Sequence, residues 1–337
     1  MQFKRINELK DGMRLARPIY NKNGVLLFER DSKITSAGIA SIQNFGLIGL
    51  FILEPAEPCP PMTPEDIEFE RFQTVNVFSL MEEIAQIRTS HRITKLPVIT
   101  ANVIKSYGHL DKKINFIQSL RSAEDGPFKH ALNMAILCAM IANKRNLKVD
   151  ERTDLVMAAL IHHLIDPQIV ERIFTSNPNI KRYCFQADTI NDSAENGSST
   201  GSVKLMEPGK ILAVANVFDN MTAMKDGGTP ESEVATVKYL LENDQFFDHD
   251  IVMALVNSIN ILVPGVCVEL NTGEKALILN ENEKNLFEPM VLGFNHNEII
   301  DLSNHTMNGD VKIIDIMKTL DNRNIIDHDM LAKYGMA

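Results

Sequence analysis

Two stretches of the chain, residues 128–144 and 151–165, carry the strongest helical pattern and constrain the fold more than any other feature. In the first stretch, Met134 and Leu137 follow His130 at intervals of four and seven residues, so the three share one helix face. An apolar helix face must pack against another element, and His130 is therefore expected to point toward the core. No apolar run reaches the roughly 20 residues needed to cross a bilayer, so we expect no membrane insertion.

The composition of the chain excludes several classes of function. Its 337 residues include 34 basic and 44 acidic side chains, and the formal net charge of −10 argues against binding to DNA, RNA or an anionic membrane surface. Four cysteines are widely spaced and form no CxxC pair, so neither a disulfide framework nor a cysteine zinc site is expected. Residues 1–20 lack the apolar core of a signal peptide. We therefore predict a cytoplasmic protein.

The order of patterns along the chain predicts a mainly α protein with two small β-containing parts. Short strand patterns flank one helix pattern before residue 54, and long helical patterns follow. Residues 187–203 are polar and glycine-rich, and we predict a loop there. The predicted divisions are a small N-terminal α/β module at 1–54, a proline-rich linker at 55–63, a helical domain at 64–304 with a short C-terminal β-appendage at about 263–303, and a C-terminal helical tail at 305–337.

Three histidines on the two strongest helical stretches are candidate metal ligands. They are His130 in the first stretch and the adjacent pair His162 and His163 near the end of the second. A buried imidazole needs a partner, and metal sites take ligands that converge from separate elements. A single histidine in such a position is more often a core or helix-end residue whose hydrogen bonds are satisfied. The set of three could hold one Zn²⁺ or a similar ion.

Two longer motifs carry a resemblance to a known family. Residues 158–165 read Ala-Ala-Leu-Ile-His-His-Leu-Ile, and residues 210–222 read Lys-Ile-Leu-Ala-Val-Ala-Asn-Val-Phe-Asp-Asn-Met-Thr. In these motifs, and over roughly 12–304, the chain resembles the HD-GYP subgroup of the HD metal-dependent phosphohydrolase superfamily. The resemblance implies an HD-type helical bundle with metal ligands at the positions of His130 and the 162–163 pair.

The chain departs from the family pattern at the acidic ligands. His163 stands where the family has an aspartate that bridges two metals, and Asn216 stands at a second lost aspartate. The family's hallmark His-His-Glu-x-x-Asp-Gly-x-Gly-Tyr-Pro aligns only with residues 191–201, which lack its two histidines and its Tyr-Pro. Hydrolysis by this route needs two metals about 3.5–4 Å apart. We therefore expect either no cofactor or a single divalent metal (Zn, Fe or Mn), and no two-metal centre.

Two further residues are candidates for ligand binding. Lys210 could line a phosphate pocket, although a solvated surface lysine is the commoner role. Asp219 matches a family aspartate outside the primary metal set, where a hydrogen-bonding role is expected.

The leading functional hypothesis is a degenerate HD-GYP-like signalling protein without catalytic activity. It would bind a protein partner, or cyclic di-GMP, through the former active-site groove, and the sequence leaves a homodimer open. One alternative is an active metal-dependent cyclic di-GMP phosphodiesterase with an unusual metal centre. The other is a scaffold like the HD-related output domains, which lack the metal set.

Overall fold

The protein is mainly helical and carries small antiparallel sheets near both ends of the described chain. A mainly α fold is thus confirmed. The structure, a computed structural model, describes residues 2–43, 49–53, 62–118, 121, 124–201, 204–223, 230–282, 284–295 and 297–316.

The N-terminal part forms a small α/β unit with a core of its own. Two antiparallel strands flank β5, in the order β1-β5-β2, and a separate hairpin joins β3 to β4. Seven apolar side chains, among them the fully buried Ile34 and Ile42, pack together inside this unit. Its elements are β1 Gln2–Arg5, β2 Arg14–Leu15, β3 Ile19–Tyr20, β4 Leu26–Phe28, α1 Ser36–Gln43 and β5 Gly49–Leu53.

The first long helix begins with a complete capping arrangement. Thr63 accepts a hydrogen bond from the backbone N–H of Asp66 at 3.1 Å, and the Asp66 carboxylate accepts one from the Thr63 N–H at 2.9 Å. Pro64 occupies the first turn, where its missing N–H costs nothing. The predicted proline-rich linker lies almost entirely at 54–61, outside the described residues.

Including this long helix, nine helices of the described chain share one hydrophobic core. The helix α4 lies at its centre, because every residue from 131 to 142 is buried. It packs closely along α5 and also contacts α8, as expected for helices that are apolar on most faces. The nine are α2 Pro64–Ser90, α3 Leu96–Tyr107, α4 Gly126–Lys144, α5 Val149–Ile161, α6 Pro167–Ile173, α7 Asn179–Asn196, α8 Glu207–Thr222, α9 Glu233–Glu242 and α10 His249–Val256.

The helix α7 contradicts the prediction of a loop over 187–196, whereas residues 198–201 are non-helical as predicted. It continues to Asn196 and ends at Gly197, whose φ of +62° suits a glycine helix end. Among the polar residues, Ile180, Ala187 and Ile190 form an apolar stripe at helical spacing. These three side chains are fully buried against neighbouring helices. Packing of this stripe therefore outweighs the weak helix propensity of the surrounding polar residues.

The C-terminal part of the described chain forms a five-stranded antiparallel sheet in the order β10-β6-β7-β8-β9. Its apolar face joins the main helical core, with Val268, Ile278 and Ile313 buried. The elements are β6 Cys267–Leu270, β7 Lys275–Asn280, β8 Met290–Gly293, β9 Ile299–Asp301, α11 His305–Asn308 and β10 Ile313–Ile316.

This sheet corrects the prediction of a helical tail from residue 305. Only the short helix α11 is helical in the described part of that segment, and β10 then pairs with β6. The strand is held because Ile313 and Ile316 are buried and because the Lys238 ammonium donates to the Ile313 carbonyl at 2.6 Å. Residues 317–337 lie outside the described chain.

None of the described helices combines the length and the apolar character needed to span a bilayer.

Substitution of Gly209 by alanine tests the contact between α7 and α8. A Cβ at this position would lie 2.5 Å from Gln186 Oε1 and 2.8 Å from Gln186 Cβ. Gln186 is buried, donates from Nε2 to the Lys204 carbonyl and accepts from the Met206 N–H at Oε1. Its side chain therefore cannot move without breaking these hydrogen bonds. Overpacking costs roughly 1–3 kcal/mol and exceeds the helix propensity that alanine gains.

We therefore expect Gly209→Ala to lower the free energy of unfolding by about 1–2 kcal/mol, measured from urea unfolding at an unchanged m-value. The exposed Ser198→Ala serves as control and should change stability by less than about 0.5 kcal/mol. A Gly209→Ala protein as stable as the parent chain would show that α7 and α8 do not approach this closely.

Candidate functional site

The histidine pair lies beyond the end of α5, whereas the sequence pattern placed it inside a helix running to residue 165. The helix ends at Ile161, His162 is its C-terminal cap residue, and His163 adopts a left-handed conformation with φ of +58°. Downstream, Asp166 caps α6 and Pro167 begins it. A residue before a proline disfavours the helical conformation, so α5 cannot continue into α6 through Asp166, and the pair lies in the turn between the two helices.

Both histidines contact the same carboxylate, which belongs to a residue of α7. His162 Nε2 and His163 Nε2 each lie 2.9 Å from Asp188 Oδ1, and the two rings stack with centroids 3.7 Å apart. Sequence reasoning missed Asp188 because it assigned this segment to a loop. The helical spacing of Ile180, Ala187 and Ile190 was the signal that could have placed Asp188 on a helix facing the pair.

The charges of this cluster follow from its burial. Burial lowers the pKa of His162 below its ordinary value, although the hydrogen bond to Asp188 opposes the shift. Burial also opposes ionisation of Asp188, but hydrogen bonds from both histidines outweigh it and hold the pKa of that carboxyl well below its usual range. At neutral pH the site therefore presents a neutral His162 and an ionised Asp188. The buried His162 Nδ1 has no hydrogen-bond partner among the described residues.

The three side chains of this cluster could hold one metal ion. Ligand atoms of His162, His163 and Asp188 all lie within 4.8 Å of one another, the only such group of three or more His, Cys, Asp or Glu side chains in the described chain. Two imidazoles and one carboxylate suit Zn²⁺, Fe²⁺ or Mn²⁺. We call these three residues the His-His-Asp cluster.

His130 does not belong to the His-His-Asp cluster. Its Nδ1 lies 2.6 Å from Asp219 Oδ2, and its Nε2 lies 3.0 Å from Asn216 Oδ1, so both ring nitrogens have protein partners from α8. The predicted set of three histidines is thus divided, and Asp188 takes the place of His130 beside the pair. The reason is geometric, since His130 lies near the start of α4 and faces α8 rather than α7.

Asp219 is the centre of a second cluster and is fully buried. The Arg121 guanidinium donates to both carboxylate oxygens at 2.6 Å, and Gln118 and Asn133 donate to Oδ1 at 3.0 and 2.9 Å. Burial alone would raise the pKa of Asp219, but Arg121 and His130 overcome it and lower the pKa to about 2. The carboxylate is therefore an ion whose charge is balanced inside the protein.

The remaining predicted residues take different positions. Asn216 joins the second cluster and accepts a further hydrogen bond from the Asn220 side-chain amide at 2.9 Å. Lys210, two turns earlier on α8, forms an ion pair with Asp248 at 3.0 Å, where Asp248 caps α10. Lys210 thus lies in neither cluster, and its partner gives it a structural role at the helix end.

No family model, curated protein or solved structure matches this chain.

Removal of the Asp219 charge tests the buried ion pair. We expect Asp219→Asn to destabilise the protein by about 3–5 kcal/mol, because Arg121 would stay buried without a counter-charge. Asp192→Asn, exposed on α7, is the matched control and should change stability by less than about 0.5 kcal/mol. Urea unfolding at pH 7 measures both, and equal stability of the two variants would contradict the buried pair.

The low pKa of Asp219 predicts that the free energy of unfolding decreases at acidic pH. The folded pKa of Asp219 is about 2, below its ordinary value of 3.8, so its contribution is complete above pH 4 and is lost as pH falls toward 2. The shift corresponds to roughly 2 kcal/mol. Unfolding free energies measured across this range should fall less steeply for Asp219→Asn than for the parent chain. Parallel profiles would show that Asp219 does not titrate with folding.

Proposed function

We propose that this protein is a degenerate HD-GYP-like signalling domain that binds a partner and does not hydrolyse cyclic di-GMP. The observation that carries the proposal is the neutralisation of Asp219 by Arg121. In the second cluster, Arg121 places a permanent positive charge on Asp219, which contacts His130, and that charge disfavours a metal ion at the position of His130. The two candidate ligand positions there, His130 and Asn216, are hydrogen-bonded to each other.

The arrangement of helices supports the resemblance to an HD-type bundle. His130 lies near the start of α4 and His162 at the end of α5, and these two helices pack along each other in the core. This pairing fits a site whose ligand positions were retained while its acidic ligands were replaced.

The donor set accounts for the loss of hydrolysis. A two-metal centre needs ligands for both ions and a carboxylate that bridges them, so that the attacking and leaving oxygens are both stabilised. The His-His-Asp cluster contains one carboxylate, and a single oxygen of Asp188 accepts from both histidines. Asp219 is surrounded by donors on both oxygens. The described residues therefore suit one ion at most.

If an ion binds, His162, His163 and Asp188 would hold it. Their chemistry suits a divalent ion because a ligating histidine must be neutral, and burial already favours the neutral form of His162. Such an ion would supply a Lewis acid to which a ligand could bind. The imidazole rings would exchange their contacts to Asp188 for contacts to the ion.

Metal stoichiometry separates this proposal from the active enzyme. We expect the full chain at pH 7 to bind one equivalent of Co²⁺, used as a spectroscopic substitute for Zn²⁺, because the described residues form one three-ligand group. His162→Ala should weaken binding at least tenfold, and the exposed His109→Ala should leave it unchanged. Calorimetry with the Co²⁺ absorption spectrum measures both. Two tightly bound equivalents would favour a phosphodiesterase.

A direct assay tests the absence of catalysis. The chain loaded with Mn²⁺ or Fe²⁺ should release no linear dinucleotide and no GMP from cyclic di-GMP above the level of a blank, since the two-ion geometry is missing. Chromatography of the reaction mixture measures both products. Hydrolysis that disappears in His162→Ala would overturn the proposal and establish the active alternative.

The nature of the bound partner separates the last alternatives. Calorimetric titration with cyclic di-GMP that gives binding without hydrolysis would identify a nucleotide receptor. A stable protein complex formed without metal or nucleotide would favour an output-domain scaffold. The formal net charge of −10 supports a protein or small ligand over a nucleic acid.

A further inference from the structure

A cavity of about 500 Å³ opens beside the His-His-Asp cluster and is distinct from the Asp219 cluster. Its walls come from the end of α2, the turn between α5 and α6, and the facing sides of α6 and α7. All three members of the His-His-Asp cluster line it. Cavities of this size hold small-molecule ligands when a mainly apolar lining surrounds a few converging polar groups.

The lining of this cavity is mainly apolar away from the histidines. Ile161 and Val170 are buried in the wall, while Phe185 on α7 lines the cavity with 59% of its surface exposed. A large apolar side chain exposed at the edge of a cavity gains free energy when a ligand covers it. The lining therefore favours a ligand with an apolar body.

The polar end of the cavity favours one anionic donor group. Three protein ligands leave an open position on a tetrahedral ion, where a ligand atom can bind. A divalent ion with Asp188 and two neutral imidazoles has a residual charge of about +1, since ligating histidines are neutral. A single carboxylate would neutralise that charge.

The far end of the cavity favours a ligand with only one charged group. Lys181 lies seven residues before Asp188 on α7, about 10 Å away along the helix axis. Its ammonium is paired with Glu171 on α6 at 2.6 Å, so its charge is already balanced. Arg88, also in the lining, donates through Nε and Nη2 to the Leu164 carbonyl.

We propose that this cavity binds a small apolar monocarboxylate, with the carboxylate on the ion of the His-His-Asp cluster and the hydrocarbon part against Phe185 and α6. The inference rests on the single-ion site proposed above. It adds a ligand class that differs from a cyclic dinucleotide in charge and in apolar character. Binding of this ligand would make the protein a sensor of a small organic acid.

The test compares acetate, hexanoate and hexanol on the full chain loaded with Co²⁺. We expect hexanoate to change the Co²⁺ absorption spectrum and to bind at least tenfold more tightly than acetate, because its additional methylenes leave water. Hexanol lacks the anionic donor and should leave the spectrum unchanged. Titrations followed by absorption and by calorimetry give the affinities.

Two matched variants locate the apolar part of the ligand. Phe185→Ser should reduce hexanoate affinity at least fivefold while the acetate response and Co²⁺ affinity stay unchanged. Phe294→Ser, at an exposed phenylalanine in the turn after β8, should leave all three unchanged. Because both side chains are partly exposed, neither substitution is expected to unfold the protein.

The outcomes separate this inference from the proposed function. Co²⁺ bound at one equivalent, with hexanoate no tighter than acetate or insensitive to Phe185→Ser, would overturn the carboxylate proposal alone. Failure of the chain to bind Co²⁺ would overturn the single-ion site and the carboxylate proposal together. Hydrolysis of cyclic di-GMP would overturn the proposed function, and the hexanoate measurements would then decide the carboxylate proposal by themselves.

Discussion

The ion pair between Asp219 and Arg121 is the interaction on which the centre of the protein depends. A carboxylate that is fully buried is costly unless its charge is balanced and its oxygens accept hydrogen bonds, and here both conditions are met. The donors come from separate parts of the chain, because Asn133 lies on α4 whereas Gln118 and Arg121 lie before it. Asp219 therefore links α8 to α4 through Asn133 and His130, and to the segment before α4 through Arg121.

Further hydrogen bonds extend this network to α2 and to the N-terminal unit. Gln73 on α2 donates to Asn133 at 2.8 Å. Arg17 of the N-terminal unit donates to the Gln118 carbonyl at 3.1 Å and lies over the Phe51 ring. The Nε atom of Arg121 is buried without a hydrogen-bond partner among the described residues, but the carboxylate and amide side chains of the network have partners, and these contacts favour one arrangement of helices over others.

The same network decides which chemistry the protein can support. His130 donates toward a buried carboxylate through one nitrogen, an arrangement that commonly orients a metal-ligating histidine. Its other nitrogen meets Asn216, which carries no charge to attract a cation. Arg121 adds a permanent positive charge on Asp219, the carboxylate that contacts His130, and so disfavours a metal ion there by repulsion. The histidine pair, held in a separate turn, is free of this effect and retains a carboxylate in Asp188.

The sequence by itself determined the mainly α class, the buried helices α4 and α5, and the absence of carboxylates at positions 163 and 216, because apolar periodicity and residue identity are local properties. Three features depended on tertiary structure. The polar segment at 187–196 is helical because its few apolar side chains pack against neighbouring helices. The segment at 313–316 is a strand because it pairs with β6 at the edge of the sheet. Packing also decided which side chains are grouped. His130 contacts α8, whereas Asp188 on α7 contacts the histidine pair. No spacing along the chain encodes a contact between residues that lie 25 positions apart on different elements.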